Sequence, residues 1–115
     1  DVHILDYKTS KKIDKKSYYD RKKKRSQMMK YPLNNIEDTN FWHYSLQLST
    51  YAWMIEKMDP RFNIKALTII HYDHDGGVSY HECEYLKNDV ERMLADYKRK
   101  IRHAEFKKSR EKILL

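Results

Sequence analysis

Asp6 and Lys8 stand one residue apart at the end of the apolar run "VHILDYK", and no other pair in the sequence is better placed for chemistry. In an extended strand, residues two apart point to the same side, so both side chains would project together. A carboxylate in that position can hold Mg²⁺ or Mn²⁺ near a phosphate. An adjacent ammonium can orient water or offset the charge that develops as a phosphodiester breaks. Asp-x-Lys alone recurs by chance in most proteins. Further along, Gln47 and Tyr51 are four residues apart, which puts both on one helical face and lets both reach one site.

Other groups invite weaker readings. His71, Asp73, His74, Asp75 and His81 have side chains of the kind that bind zinc, but Asp73–Gly77 is also what a hairpin turn requires, and the turn is the better expectation. Cys83 has no activating neighbour in sequence and reads as a buried structural thiol. Trp42 and Trp53 read as core. Tyr18, Tyr19 and Tyr31 interleave with the cations of Arg21–Arg25, a mixture suited to stacking on bases and pairing with phosphates.

The charge distribution gives these groups a setting. The net charge of +7 is divided into −1 over residues 1–10, +8 over 11–30, −6 over 31–97 and +6 over 98–115. Two basic clusters flanking an acidic middle suit a polyanion, since each neutralised phosphate releases counterions. A Lys-rich surface also keeps a small domain soluble. No run approaches the roughly 18 apolar residues that span a membrane. A single cysteine excludes an internal disulfide and points to a reducing, cytoplasmic setting. With two Gly and two Pro in 115 residues, a turn-rich β-sandwich is disfavoured.

The elements that must position Asp6 and Lys8 are legible as patterns. Residues 2–9 read as a strand, with Val2, Ile4 and Asp6 on one face and His3, Leu5 and Tyr7 on the other. Apolar residues on both faces suggest an interior strand. The segment 10–30 has few apolar anchors and reads as a mobile basic loop or weak helix, ordered by a partner. Asp38, Thr39 and Asn40 are N-cap candidates for a helix that must stop before Asp59-Pro60. Trp42, Leu46, Ser49 and Trp53 would share one side of it, and Tyr44, Gln47, Leu48, Tyr51 and Ile55 another. A strand over 64–72, a turn at Asp73–Gly77 and a strand over 78–85 form a hairpin. A long helix begins near Leu86, with Val90, Met93, Leu94, Tyr97 and Ile101 as its buried stripe, and a charged tail follows from about 103 to 115. The whole is one domain of mixed α/β class, a mixed sheet flanked by helices.

The combination of "ILDYKTS" with "LQLSTYAW" resembles the RecB-like branch of the PD-(D/E)XK nuclease superfamily, and "EDTNFWHYSLQLSTYAWMIE" is similar to its phage-encoded members. The likeness runs from the first residue through the hairpin. It implies a partial restriction-endonuclease-like core and a Mg²⁺- or Mn²⁺-dependent DNA nuclease, of exonuclease type. In that resemblance Asp6 is the acidic metal ligand and the backbone carbonyl of Tyr7 a second ligand. Lys8 is the catalytic lysine, and Gln47 and Tyr51 brace the site and contact DNA. Thr9 and Ser10 match the usual ending of the strand motif. Lys11, Lys12, Lys15, Lys16, Arg21, Lys22, Lys23, Lys24 and Arg25 would hold the DNA backbone. The phage likeness places the protein in the host cytoplasm, or with the virion.

One departure matters. The family carries a second acid on the strand before Asp-x-Lys, and only five residues precede Asp6. The chain therefore reads as the C-terminal part of a nuclease domain whose N-terminal half lies in the same or another chain, with oligomeric state left open. Two rivals stand beside this reading. One is a non-catalytic nucleic-acid-binding or virion module that keeps the nuclease fold. The other is a basic helical RNA- or chromatin-binding protein in which both motifs are coincidences.

Overall fold

The computed structural model describes residues 1–114. Its elements run β1 (Val2–Lys8), β2 (Tyr19–Asp20), β3 (Arg25–Ser26), α1 (Asn40–Met58), β4 (Ile64–Tyr72), β5 (Val78–Cys83) and α2 (Lys87–Leu114). The main sheet is three-stranded in the order β1-β4-β5. β1 and β4 are parallel, with Asp6 opposite Ile69 and Lys8 opposite His71. β4 and β5 are antiparallel, with Ile69 opposite His81 and His71 opposite Ser79. The expected mixed α/β class holds at this level. No helix among the described residues is long and apolar enough to cross a membrane.

Parallel pairing of β1 with β4 needs a long connection, and α1 supplies it. Thr39 caps α1 by accepting from the Trp42 amide at 3.3 Å. At the other end Pro60 prevents continuation, and the helix closes at Met58. The stripe that meets the sheet is Phe41, Ser45, Leu48, Ser49 and Ala52, in which small residues let helix and sheet approach closely. Phe41, Leu48, Ala52, Leu67 and Ile69 form the main core, and Met29, Ile36, Leu46 and Leu86 a second cluster. Ser49 Oγ accepts from the buried Leu86 amide at 2.9 Å, which ties α1 to the start of α2.

The turn at 73–77 is built as its sequence suggests. Asp73 Oδ1 accepts from the amides of Asp75 at 2.9 Å and Gly77 at 2.7 Å. Gly76 has φ +83°, where glycine is favoured, and a Cβ on Gly77 would come within 2.3 Å of Asp73 Oδ2 and displace the carboxylate that holds the turn.

Three expectations are corrected. β1 is an edge strand: its second face is open, leaving Leu5 53% and Tyr7 59% exposed. Residues 10–30 form neither a weak helix nor an unanchored loop. Tyr19–Asp20 and Arg25–Ser26 pair as a short hairpin, and Met28 bridges back to Glu37. The buried stripe of α2 ends earlier than its spacing suggests, leaving Tyr97 62% and Ile101 39% exposed.

Leu48 is fully buried at the centre of the main core. Leu48→Ala should lower unfolding stability by about 3 kcal/mol, the usual cost of a core cavity, read as a fall in the urea midpoint. A change under about 1 kcal/mol would show that the core is not organised around this helix face.

Candidate active site

The alternation of β1 decides which side chains enter the site. Val2, Ile4, Asp6 and Lys8 are partly covered, while the residues between them face outward. Asp6 and Lys8 thus emerge side by side at the end of β1, beneath α1. Lys8 Nζ lies 2.9 Å from Asp6 Oδ2, and the two side chains are 21% and 27% exposed. The same ammonium donates to Gln47 Oε1 at 3.0 Å, and Gln47 Nε2 donates to the Tyr51 hydroxyl at 3.2 Å. The four residues singled out in two separate motifs therefore form one continuous polar chain from the strand end to the exposed side of α1.

A fifth residue belongs with them. Tyr44 sits one turn before Gln47 on α1, and Lys8 Nζ lies 4.5 Å from its ring centroid. Sequence spacing placed Tyr44 on the same helical side as Gln47 and Tyr51, but gave no sign that it would form the wall behind the ammonium. Asp6 Oδ2 is buried and, apart from its ion-pair contact with Lys8, has no hydrogen-bond partner. The Lys8 ammonium is thus the one cation on this buried oxygen among the described residues, and a metal ion bound there would share the carboxylate with it.

Asp6 fits a divalent ion only in part. Mg²⁺ is commonly held by one or two carboxylates together with substrate phosphates and water, which one Asp and a backbone carbonyl such as that of Tyr7 can complement but not complete. Among the described residues, no three His, Cys, Asp or Glu side chains come together as a metal-binding group. The His71–His81 region is instead shared between turn and strand. Asp73 shapes the turn, and His71 is buried with its Nε2 against the Ser10 carbonyl, just beyond Lys8. The T-shaped contact of His71 with His81 carries the inner face across to β5.

The segment after Lys8 is held by the start of α1. Asn40 Oδ1 accepts from the Asp14 amide at 2.8 Å, and Asn40 Nδ2 donates to the Lys12 carbonyl at 2.6 Å. Trp42 Nε1 donates to the Lys15 carbonyl at 3.0 Å, so Trp42 clamps this segment as well as packing on the core. The hairpin beyond is fixed at its base by the Gln27 amide on the Tyr18 carbonyl and the Asp38 amide on the Gln27 carbonyl. Its tip turns on Asp20, whose Oδ1 accepts from the amides of Lys22 and Lys23, while Lys24 adopts φ +53°. Lys11, Lys12, Lys15, Lys16, Arg21, Lys22, Lys23, Lys24 and Arg25 are all exposed. Lys12 pairs with Asp14 at 3.6 Å, and Lys15 lies over the Phe41 ring. The cations are thus presented on an ordered strap that leaves the end of β1 and is fastened to the start of α1. Only their number was visible in the sequence, and the Asn40 clamp that orders the strap was read there as no more than a cap.

Two titrations report on this inner face. Burial pushes the half-buried Cys83 thiol above its ordinary value, which makes it a poor nucleophile. Burial first, then the positive fields of Lys15 and His71, hold His81 below its ordinary value of 6.5. Because folding lowers this pKa, its contribution to stability is present above pH 6.5 and is lost as pH falls through the folded value. The His81 ring should titrate below 6.5 in an NMR pH series, and Lys15→Met should move the midpoint upward. An unmoved midpoint would mean that the strap does not sit over the sheet. Comparison of this chain with family models, with curated proteins and with solved structures finds no match.

Proposed function

We propose that this chain is part of a Mg²⁺- or Mn²⁺-dependent DNA nuclease of the RecB-like PD-(D/E)XK type, acting as an exonuclease in phage or bacterial DNA processing. The observation that carries the reading is the joining of two motifs through one ammonium: Lys8 Nζ contacts Asp6 at 2.9 Å and Gln47 at 3.0 Å, and Gln47 continues to Tyr51. Motifs that match by coincidence have no reason to converge on one atom.

In this reading Asp6 would hold the divalent ion, which supplies Lewis-acid polarisation of the scissile phosphate when bound. Lys8, held by Gln47 and backed by the Tyr44 ring, orients the attacking water and offsets charge on the phosphoryl oxygens. Tyr51, 44% exposed at the outer end of the polar chain, faces the side from which the strand would arrive. The strap of 11–25 holds the backbone by phosphate contacts, whose strength falls with salt. The second carboxylate comes from polypeptide that pairs with the open edge of β1, in the same chain or another. That placement is supported by β1 having β4 as its sole strand neighbour among the described residues and by the exposure of Leu5 and Tyr7.

A second reading, a non-catalytic nucleic-acid-binding or virion-associated module on the same fold, is favoured by the single carboxylate at the site. The two separate in one assay. With the chain in its full-length context, Lys8→Ala should abolish Mn²⁺-dependent DNA degradation while leaving the fold and DNA binding intact. Cleavage at the wild-type rate by that variant would refute the mechanism, and gel shifts without cleavage by the wild type at any Mn²⁺ concentration would select the module.

A further inference from the structure

α2 has 28 residues, about 42 Å of helix, but among the described residues its last hydrogen bond to the body is made by Arg99, which donates to the Tyr31 hydroxyl at 3.2 Å. Val90 and Leu86 anchor it, and Arg92 bonds Asn35 at 2.7 Å. From Tyr97 to Ile113 every residue is exposed. The radius of gyration, 18.4 Å, exceeds the roughly 13 Å of a compact domain of this length, and the longest dimension is 62 Å. An arm of this kind gains nothing from the core of its own domain, and an isolated helix of its length is marginal in water.

Its side chains say what it meets. Residues 98–113 carry eight Lys/Arg against Glu105 and Glu111. Asp96 at the root pairs with Arg99 and, at 3.0 Å, with Lys100. Among the described residues, Lys98, Arg102, Lys107, Lys108, Arg110 and Lys112 are in no ion pair, which leaves six free cations along roughly 22 Å of helix. At about 100° per residue these cations ring the helix rather than form one face. Apolar residues do not segregate either, since Phe106 stands about 140° around from Ile101. A membrane-surface helix needs one apolar face, and this arm has none. A second copy of an arm with net charge +6 over residues 98–113 would repel it.

Phosphates on two sides are the matching surface. The major groove of B-DNA is about 12 Å wide and flanked by a phosphate strand on each side, and a helix with its side chains is about 10–12 Å across. We propose that residues 98–113 of α2 bind duplex DNA, lying in or along the major groove with cations reaching the phosphates of both strands. This goes beyond the nuclease reading by assigning a second DNA-binding element, remote in sequence from the strap, and its test requires no cleavage.

The experiment is fluorescence anisotropy of the full chain with a labelled 24-base-pair duplex in EDTA, across a KCl series. The test variant is Lys98→Gln, Arg102→Gln, Lys107→Gln, Lys108→Gln and Arg110→Gln combined. Glutamine keeps helix propensity, and helicity is checked by circular dichroism. Each lost phosphate contact removes about 0.9 from the slope of log K against log salt, so the slope should fall by about 3 to 4.5 and affinity by more than tenfold at 100 mM KCl. A companion with each of those lysines changed to Arg and each arginine to Lys should keep the wild-type slope. Unchanged slope and affinity in the glutamine variant, loss of slope in the companion, or loss of binding only to phosphatidylserine vesicles would each overturn the proposal. Since catalysis is read separately in Mn²⁺, a changed slope without cleavage rejects the nuclease alone, and cleavage with an unchanged slope rejects the arm alone.

Discussion

A lysine side chain only 21% exposed needs acceptors for its ammonium, and Lys8 has three. The Asp6 carboxylate supplies the charge, the Gln47 amide a fixed acceptor, and the Tyr44 ring a negative face. Each comes from a different structural decision. Asp6 shares a strand face with Lys8 because strands alternate. Gln47 and Tyr44 reach it because α1 crosses over the end of β1. The crossing is possible because Ser45, Ser49 and Ala52 give α1 a thin side to lay on the sheet. A bulky residue at any of these three would push the helix away and open the gap between Lys8 and Gln47.

The same helix governs the basic strap. Its first residues hold the backbone at Lys12, Asp14 and Lys15, so the cations leave the strand end along a defined path. Like charges at this density would otherwise spread the segment apart. Fixing its base at α1 and closing its tip on Asp20 costs the chain conformational freedom, and those hydrogen bonds offset it. One helix therefore positions a strand-end carboxylate, the lysine beside it, and a row of cations. α2, in contrast, runs on beyond the Arg99–Tyr31 hydrogen bond with every side chain exposed and carries its charge outward.

Much of this was legible in sequence where a local rule decides the outcome. The faces of β1, the limits of α1 between Thr39 and Asp59, and the Asp73–Gly77 turn follow from alternation, capping and turn chemistry. So does the co-facial placement of Gln47 and Tyr51, although their meeting with Asp6 and Lys8 needed the tertiary crossing. What was not legible depends on neighbours. The apolar types at Leu5 and Tyr7 read as covered, yet both are more than half exposed. The apolar spacing of Tyr97 and Ile101 continues a stripe past the point where its partner ends. The strap reads as mobile because its charges hide the few residues, Asn40 and Trp42 among them, that fasten it from a distance. Phe41, Ser45 and Ala52 were overlooked as the sheet-facing stripe because two of them are too small to register as hydrophobic anchors.

The central claim is that the Asp6–Lys8–Gln47–Tyr51 chain forms part of a divalent-ion site for DNA. The most direct measurement is a crystal structure of the full-length protein with Mn²⁺ and a short DNA duplex, using the anomalous signal of the metal. The account predicts anomalous density for an ion held by the Asp6 carboxylate, with the DNA phosphate and Lys8 beside it. DNA bound with the ion elsewhere, for instance at the Asp73–Asp75 turn, and with Asp6 still paired only to Lys8, would contradict it.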